Sequence, residues 1–366
     1  MKPFERIVII GLGLIGGSIA LSLRRTGFKG KIVGIDDHAT ISRAREANAI
    51  DEGLLCDRLE VGFQAPALVM LCTPISTIIE LLRKIAPLVL PGSLVTDVGS
   101  TKRRIVEFAD QQLPPHCDFI GGHPLAGAET SGFQSADPFL FENATYVLTP
   151  SRLSDEQRRV ALGRLLESIG ANVLLLSPNA HDRIAAHVSH LPQMAAVALM
   201  NMVAALQVDN PYLLKIAAGG FRDMTRVAAS PYRIWADICA TNRDEINLAI
   251  DRYVDALRAI QNDLNADGLA ARFLAAAQHR QTIPKDSRGL LTPQFDILVA
   301  VNDRPGMLAK IATALAAKQI NIRDIEVLKA RENEGGTFRL AFSSAADRSM
   351  AISTLEADGF ICRVRR

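Results

Sequence analysis

Glycines 11, 13 and 16, in the run Gly11-Leu12-Gly13-Leu14-Ile15-Gly16, separate a strand-like apolar stretch from a helix-like one. In that setting the first glycine permits a tight turn and the second lets backbone approach a pyrophosphate, while the third packs helix on strand. The helix start, around Leu14 and Ile15, then offers unpaired N–H groups to phosphates. Asp36 follows at the end of the next strand-like run. A carboxylate there accepts hydrogen bonds from adenine-ribose hydroxyls and repels a 2′-phosphate. The spacing predicts a dinucleotide site that favours NAD over NADP. Asp37 reads as a solvated turn carboxylate.

Three further segments hold residue types that a plain core does not need. Thr96-Asp97-Val98-Gly99-Ser100-Thr101-Lys102 lies at the end of a strand-like run, where open α/β sheets bind ligands. Ser100 is a candidate to bond substrate or nicotinamide, or to cap a helix beginning near Thr101. His123, in Gly121-Gly122-His123-Pro124-Leu125-Ala126-Gly127, follows a strand among glycines and suits acid–base work near neutral pH. His181-Asp182, His187 and His190 come later, then Phe221-Arg222-Asp223-Met224-Thr225-Arg226. His187 and His190, three apart, invite a zinc reading, but cysteine and glutamate ligands are missing nearby, so no metal is expected. Arg222 suits an ion pair with Asp223, and Arg226 suits a carboxylate substrate, which a guanidinium grips bidentately.

Positioning these groups takes several kinds of element. Up to residue 177, short β-branched runs alternate with helical spacing, which predicts a mainly parallel, doubly wound α/β sheet. Residues 178–285 are rich in Ala, Leu, Met and Arg at helical spacing and predict an all-α domain. Residues 286–293 have linker chemistry, with Gly289 and Pro293. Residues 294–366 read as β-α-β-β-α-β, a ferredoxin-like unit.

Composition narrows the function classes. The 366 residues carry 41 Lys+Arg against 39 Asp+Glu, and the near balance is also local. No basic stripe suits a phosphate backbone, so nucleic acid is not an expected partner. The five cysteines form no CxxC pair and suit reduced thiols in the cytoplasm. His187, His190, Pro192 and Asn201 interrupt the most apolar stretch, so no clean membrane span is expected. The glycine motif follows so soon after the start that no signal peptide is expected either.

Taken together, the segments at 11–18, 72–74 (Cys-Thr-Pro), 96–102, 122–129 (Gly-His-Pro-Leu-Ala-Gly-Ala-Glu), 189–193 (Ser-His-Leu-Pro-Gln) and 221–226 resemble the prephenate dehydrogenase family. The match runs in order over about residues 1–285. Asn302-Asp303-Arg304-Pro305-Gly306-Met307-Leu308 and Ile320-Asn321-Ile322 resemble an ACT domain, a small-molecule-sensing module. The resemblance implies a Rossmann-type domain, a helical dimerisation domain and a regulatory tail. It implies oxidative decarboxylation of prephenate by NAD to 4-hydroxyphenylpyruvate, in tyrosine biosynthesis. His123 then matches the catalytic histidine and Ser100 the serine beside it. Arg226 matches the carboxylate-binding arginine, with His190 and Glu129 also at the substrate. Thr73 and Pro74 join the cofactor set of Gly11, Gly13, Leu14, Ile15, Gly16 and Asp36. Trp235 falls where relatives place a dimer-interface tryptophan. The expected partners are prephenate, a second copy of the chain and an amino-acid effector at the tail.

Three alternatives stay open on the residues. Arogenate dehydrogenase, or an enzyme taking both substrates, differs at the pyruvyl end, which no quoted motif reads. A β-hydroxyacid dehydrogenase generally uses a helical lysine, where this chain supplies histidine and arginine. A sensing protein that has lost catalysis would not need His123, Ser100 and Arg226 together.

Overall fold

A computed structural model describes residues 4–127, 130–207, 209–264, 268–282, 295–301, 304–331 and 335–364. Contacts divide the chain into two compact units, the first ending at Thr282 and the second carrying the tail.

In the first unit β1 (Arg6–Ile10), α1 (Leu14–Arg25), β2 (Lys31–Asp36), α2 (His38–Glu46) and β3 (Glu52–Leu55) come first. Next are α3 (Leu59–Gly62), β4 (Leu68–Leu71), α4 (Ile75–Ile85), β5 (Leu94–Asp97) and α5 (Arg103–Gln112). The sheet is completed by β6 (Asp118–Pro124), β7 (Thr145–Pro150), α6 (Glu156–Ser168) and β8 (Asn172–Leu175). The strand order is β3-β2-β1-β4-β5-β6-β7-β8. All neighbours are parallel except β6 and β7, which are antiparallel. Residues of β1 alternate between two cores: Val8 and Ile10 join one, Ile7 and Ile9 the other. That is why these strands read as continuous apolar runs rather than alternating ones. β3, Glu-Gly-Leu-Leu, has no β-branched residue and escapes a reading of the sequence. The order reverses between β1 and β4, and the crevice at their carboxyl ends is where such sheets take ligands.

After β8 the chain is helical: α7 (Pro178–Ala185), α8 (Leu191–Leu206), α9 (Gly219–Thr225), α10 (Tyr232–Thr241), α11 (Arg243–Asp263) and α12 (Gly268–Thr282). Ser177 starts this region by capping α7, accepting from Ala180 N, with Pro178 pre-set for the first turn. The polar breaks do not interrupt the apolar stretch as the sequence suggested. Residues 178–206 form one continuous helix, long and apolar enough to cross a membrane by length and composition. Its polar face carries buried His181, Asp182 and His190, while Val188, Met202 and Leu206 are exposed. Ile216, Tyr232, Leu257, Leu264 and Phe273 extend the exposed apolar surface of this region.

The second unit holds β9 (Phe295–Val301), α13 (Met307–Ala317), β10 (Asp324–Arg331), β11 (Gly335–Phe342), α14 (Ala345–Ala357) and β12 (Ile361–Val364). Its antiparallel sheet has the order β10-β11-β9-β12. Alternate residues Ile297, Val299 and Val301 pack with Ile311, Leu315 and Leu355 of the two helices. Beneath the opposite face, buried Arg339 pairs with Asp296, Asp324 and Glu326.

Candidate active site

The glycine loop joins β1 to α1 as its spacing predicts. Gly11 has φ +93°, and a Cβ there would stand 2.6 Å from the Cys72 carbonyl oxygen. A Cβ on Gly16 would meet the Gly11 carbonyl oxygen at 2.0 Å. Gly13, by contrast, faces open space with nothing within 4 Å of such an atom. No side chain caps α1, so the amides near Leu14 and Ile15 are left for a ligand. Asp36 closes the loop from β2: its carboxylate accepts from Leu12 N at 2.6 Å and Asp37 N at 2.7 Å. Thr73 follows β4, and Pro74 precedes α4 as its N-cap. The Thr73 hydroxyl is buried without a hydrogen-bond partner among the described residues, an orphan that a bound molecule would satisfy. This cradle fits a dinucleotide: backbone donors at one end, a carboxylate for hydroxyls at the other, and an unfilled approach at Gly13. Asp37 is more than a solvated turn residue. It caps α2, accepting from Thr40 N, and that bond holds its carboxyl below the usual range.

Next along the sheet, a polar network is buried where β5 and β6 end. Lys102 and Asp97 are both fully buried and form an ion pair. The Lys102 ammonium also donates to the Gly122 carbonyl at 2.7 Å, while Asp97 accepts from Gly122 N at 3.1 Å and Gly99 N at 2.8 Å. Burial pulls the Lys102 ammonium below its ordinary pKa, and Asp97 works against that pull. The pair fixes the backbone that presents His123. Ser100 is half-buried in the same turn, and the helix it was expected to cap begins three residues later, at Arg103. No hydrogen bond joins Ser100 to His123 among the described residues.

His123 reaches instead to the helical region. Its Nδ1 lies 2.8 Å from Nε2 of His181, whose Nδ1 lies 2.8 Å from Asp182 Oδ1. Asp182 also caps α5 from outside: Oδ1 accepts from Lys102 N at 2.7 Å and Oδ2 from Arg103 N at 3.0 Å. Asn242 donates from Nδ2 to the Asp182 carbonyl at 2.8 Å and lies 3.3 Å from His190 Nδ1. Sequence reasoning noted His181-Asp182 without a role and passed over Asn242 and the Lys102 ammonium. The available signal was a His-Asp pair one turn after the Ser177-Pro178 helix start.

His187 and His190 do not share a face. Residues Ala186–His190 form a π-helical turn, and its extra residue rotates the two apart. His187 bonds the Arg183 carbonyl and the Arg252 guanidinium, while His190 turns inward with its ring 6.0 Å from Trp235, edge to face. Trp235 is half-buried and packs on the core of its own unit. Arg226 opens a short 3-10 turn, Arg226–Ala229, tied to α8 by Gln193, whose Nε2 donates to the Val227 carbonyl at 2.9 Å. Arg222 donates to the Ala217 carbonyl at 3.1 Å rather than to Asp223. Glu129 lies outside the described residues.

Burial pushes the His123 imidazolium well below its ordinary pKa, with His181, Lys102 and His190 adding to the effect. Burial brings His190 down to about 4, against a pull from Asp182 in the other direction. Both rings are therefore neutral in the fold at neutral pH. An unfolded chain takes up those protons below about pH 6.5, so the stability held above that pH is lost as pH falls towards the folded values. Urea unfolding between pH 7 and pH 5 is expected to lose up to about 1.4 kcal/mol per pH unit for each ring. His190→Gln should flatten that slope, and an unchanged slope would show that His190 is not buried neutral.

The residues of the first unit match two family models, described as the prephenate dehydrogenase nucleotide-binding domain, over 19–175, and dimerization domain, over 177–275. Residues 295–349 match the ACT domain model. The chain is 36% identical to a prephenate dehydrogenase of Bacillus subtilis over 360 residues, 96% of each chain. Among solved structures it resembles a prephenate dehydrogenase from A. aeolicus in complex with hydroxyphenyl propionate and NAD+. That likeness has a TM-score of 0.71 and 33% identity over 77% of this chain and 99% of that one. It also resembles a Synechocystis arogenate dehydrogenase, with TM-score 0.68 and 32% identity over 76% of this chain and 100% of that one. Fold, glycine cradle and sequence agree: the chain belongs to the prephenate dehydrogenase family.

Proposed function

We propose that the protein is an NAD-dependent prephenate dehydrogenase. The observation that carries this reading is the half-buried histidine of β6, bonded to His181, in the same sheet whose β1 and β4 ends form the cradle that fits the dinucleotide. Bound NAD would supply the hydride acceptor. His123, a neutral imidazole, takes the proton of the ring hydroxyl as hydride departs from the carbon bearing it. The ring carboxylate then leaves as carbon dioxide, and its bonding pair makes the ring aromatic. The oxygen recovers the proton from His123, so one turnover converts prephenate and NAD to 4-hydroxyphenylpyruvate, carbon dioxide and NADH with no net proton. In this reading Arg226 and His190 hold the substrate with Glu129, and Ser100 bonds the hydroxyl. Asp36 selects NAD by accepting from ribose hydroxyls.

Arogenate is a second candidate substrate, because a structural relative of similar identity is an arogenate dehydrogenase. Steady-state NADH formation on prephenate and arogenate, each with NAD and NADP, decides between them. Prephenate with NAD is expected to give the highest kcat/KM. His123→Ala should lower kcat by on the order of 10²–10⁴-fold while NAD affinity holds. Wild-type turnover in that variant would remove His123 from the chemistry.

The exposed apolar residues of α8 through α12 support a homodimer built on the helical region, and the matching family model is described as a dimerization domain. The free cysteines suit the cytoplasm, and the tail suits an amino-acid effector. Sedimentation at micromolar protein should give a dimer, and Leu257→Glu with Ile260→Glu should shift it towards monomer. A monomeric wild-type chain would contradict the assignment of that surface.

A further inference from the structure

Two residues outside the expected site, His181 and Asp182, extend a buried chain of side-chain contacts from His123. Asp182 is fully buried and His181 is 3% exposed. Neither is on the element that carries His123: they sit on α7, whereas His123 lies near the end of β6. The rings of His123 and His181 meet edge to face, with centroids 5.0 Å apart and an interplanar angle of 70°.

The proton positions follow from what each atom can do. The Asp182 carboxylate receives two backbone N–H groups at the start of α5, so it serves as acceptor to all its neighbours. The 2.8 Å contact with His181 Nδ1 therefore places a proton on that nitrogen. A neutral imidazole protonated at Nδ1 has a bare Nε2, which can only accept. His123 Nδ1, 2.8 Å from it, must then be the donor. That leaves Nε2 of His123 as the bare nitrogen, and among the described residues no protein group bonds it.

We infer that His181, oriented by Asp182, is a positioning residue that locks His123 in the tautomer whose Nε2 receives the substrate's proton. The inference rests on His123 being the base of the proposed reaction. It adds a second function to the chain of bonds. When His123 Nε2 takes the hydroxyl proton, its Nδ1–H bond to His181 becomes charge-assisted and stronger. The proton stays on His123 and returns to the product oxygen, so no group in the chain changes its net protonation over a cycle. Because Asp182 also caps α5 through the Lys102 and Arg103 amides, the lock closes only when the helical region sits against the sheet.

The test is kinetics of the full-length protein on prephenate and NAD, with His181→Ala, His181→Gln and His123→Ala in one series. His181→Ala should lower kcat by on the order of 10²–10⁴-fold, the upper figure being the loss that a reversed histidine tautomer causes in a Ser-His-Asp triad. KM for prephenate and NAD should stay within about threefold. His181→Gln, whose amide oxygen can accept from His123 Nδ1, should recover most of the turnover, and added imidazole should restore part of it to the alanine variant. Should the alanine variant not fold, His181→Met fills the space without an acceptor and carries the same expectation. Wild-type kcat in His181→Ala or His181→Met, with His123→Ala inactive, would overturn the lock and leave the proposed reaction standing. So would a glutamine variant as slow as the alanine one. An active His123→Ala would instead overturn the reaction itself.

Discussion

A carboxylate with no access to water must be satisfied by protein donors, and the site is arranged around one such group, that of Asp182. An unpaired charge in a protein interior costs several kcal/mol. Here three N–H groups meet it: the Lys102 and Arg103 amides where α5 starts and one from the ring of His181. The helix supplies an N-terminus, where backbone dipoles favour negative charge. Each donor comes from a part of the site with its own task. The α5 amides follow Ser100 and carry the Lys102 ammonium that braces Asp97 and Gly122. His181 contacts His123, and the Asp182 carbonyl engages Asn242 beside His190.

The same device recurs at the next helix. Asp237 on α10 accepts from both the amide and the hydroxyl of Ser76 at the start of α4, each at 2.9 Å. Two sheet helices, following Thr73-Pro74 and Ser100, thus have their N-termini capped by acids from the helical region. Arg103 with Asp244 and Thr101 with Thr241 add further links. Turns that flank the cofactor cradle and the histidine are fixed by residues far away in sequence. Local capping residues would have left those turns independent of the helical region.

That arrangement explains what the sequence disclosed. The glycine cradle, Asp36 and the strand–helix alternation are local patterns, and each follows from a few neighbouring residues. The β-α-β-β-α-β order of the tail was legible for the same reason, because Ile297, Val299 and Val301 alternate along one strand. His123 stood out by its glycine neighbours. Its partner did not, because 58 residues separate it from His181, and nothing in a helical stretch marks which face will be buried. The π-helical turn was equally hidden: regular helical spacing put His187 beside His190, and one extra residue per turn parts them. Lys102 was passed over, because nothing local in the sequence marks a lysine that will be buried against Asp97.

The central claim is that one buried carboxylate dictates where the protons sit on two imidazoles. Long-range nitrogen–proton correlation spectra of the 15N-histidine-labelled protein, assigned with His123→Gln and His181→Gln, measure this directly. The account predicts that each ring carries its proton on Nδ1 and has a bare Nε2. A proton on Nε2 of His123, or a doubly protonated His123, would contradict it.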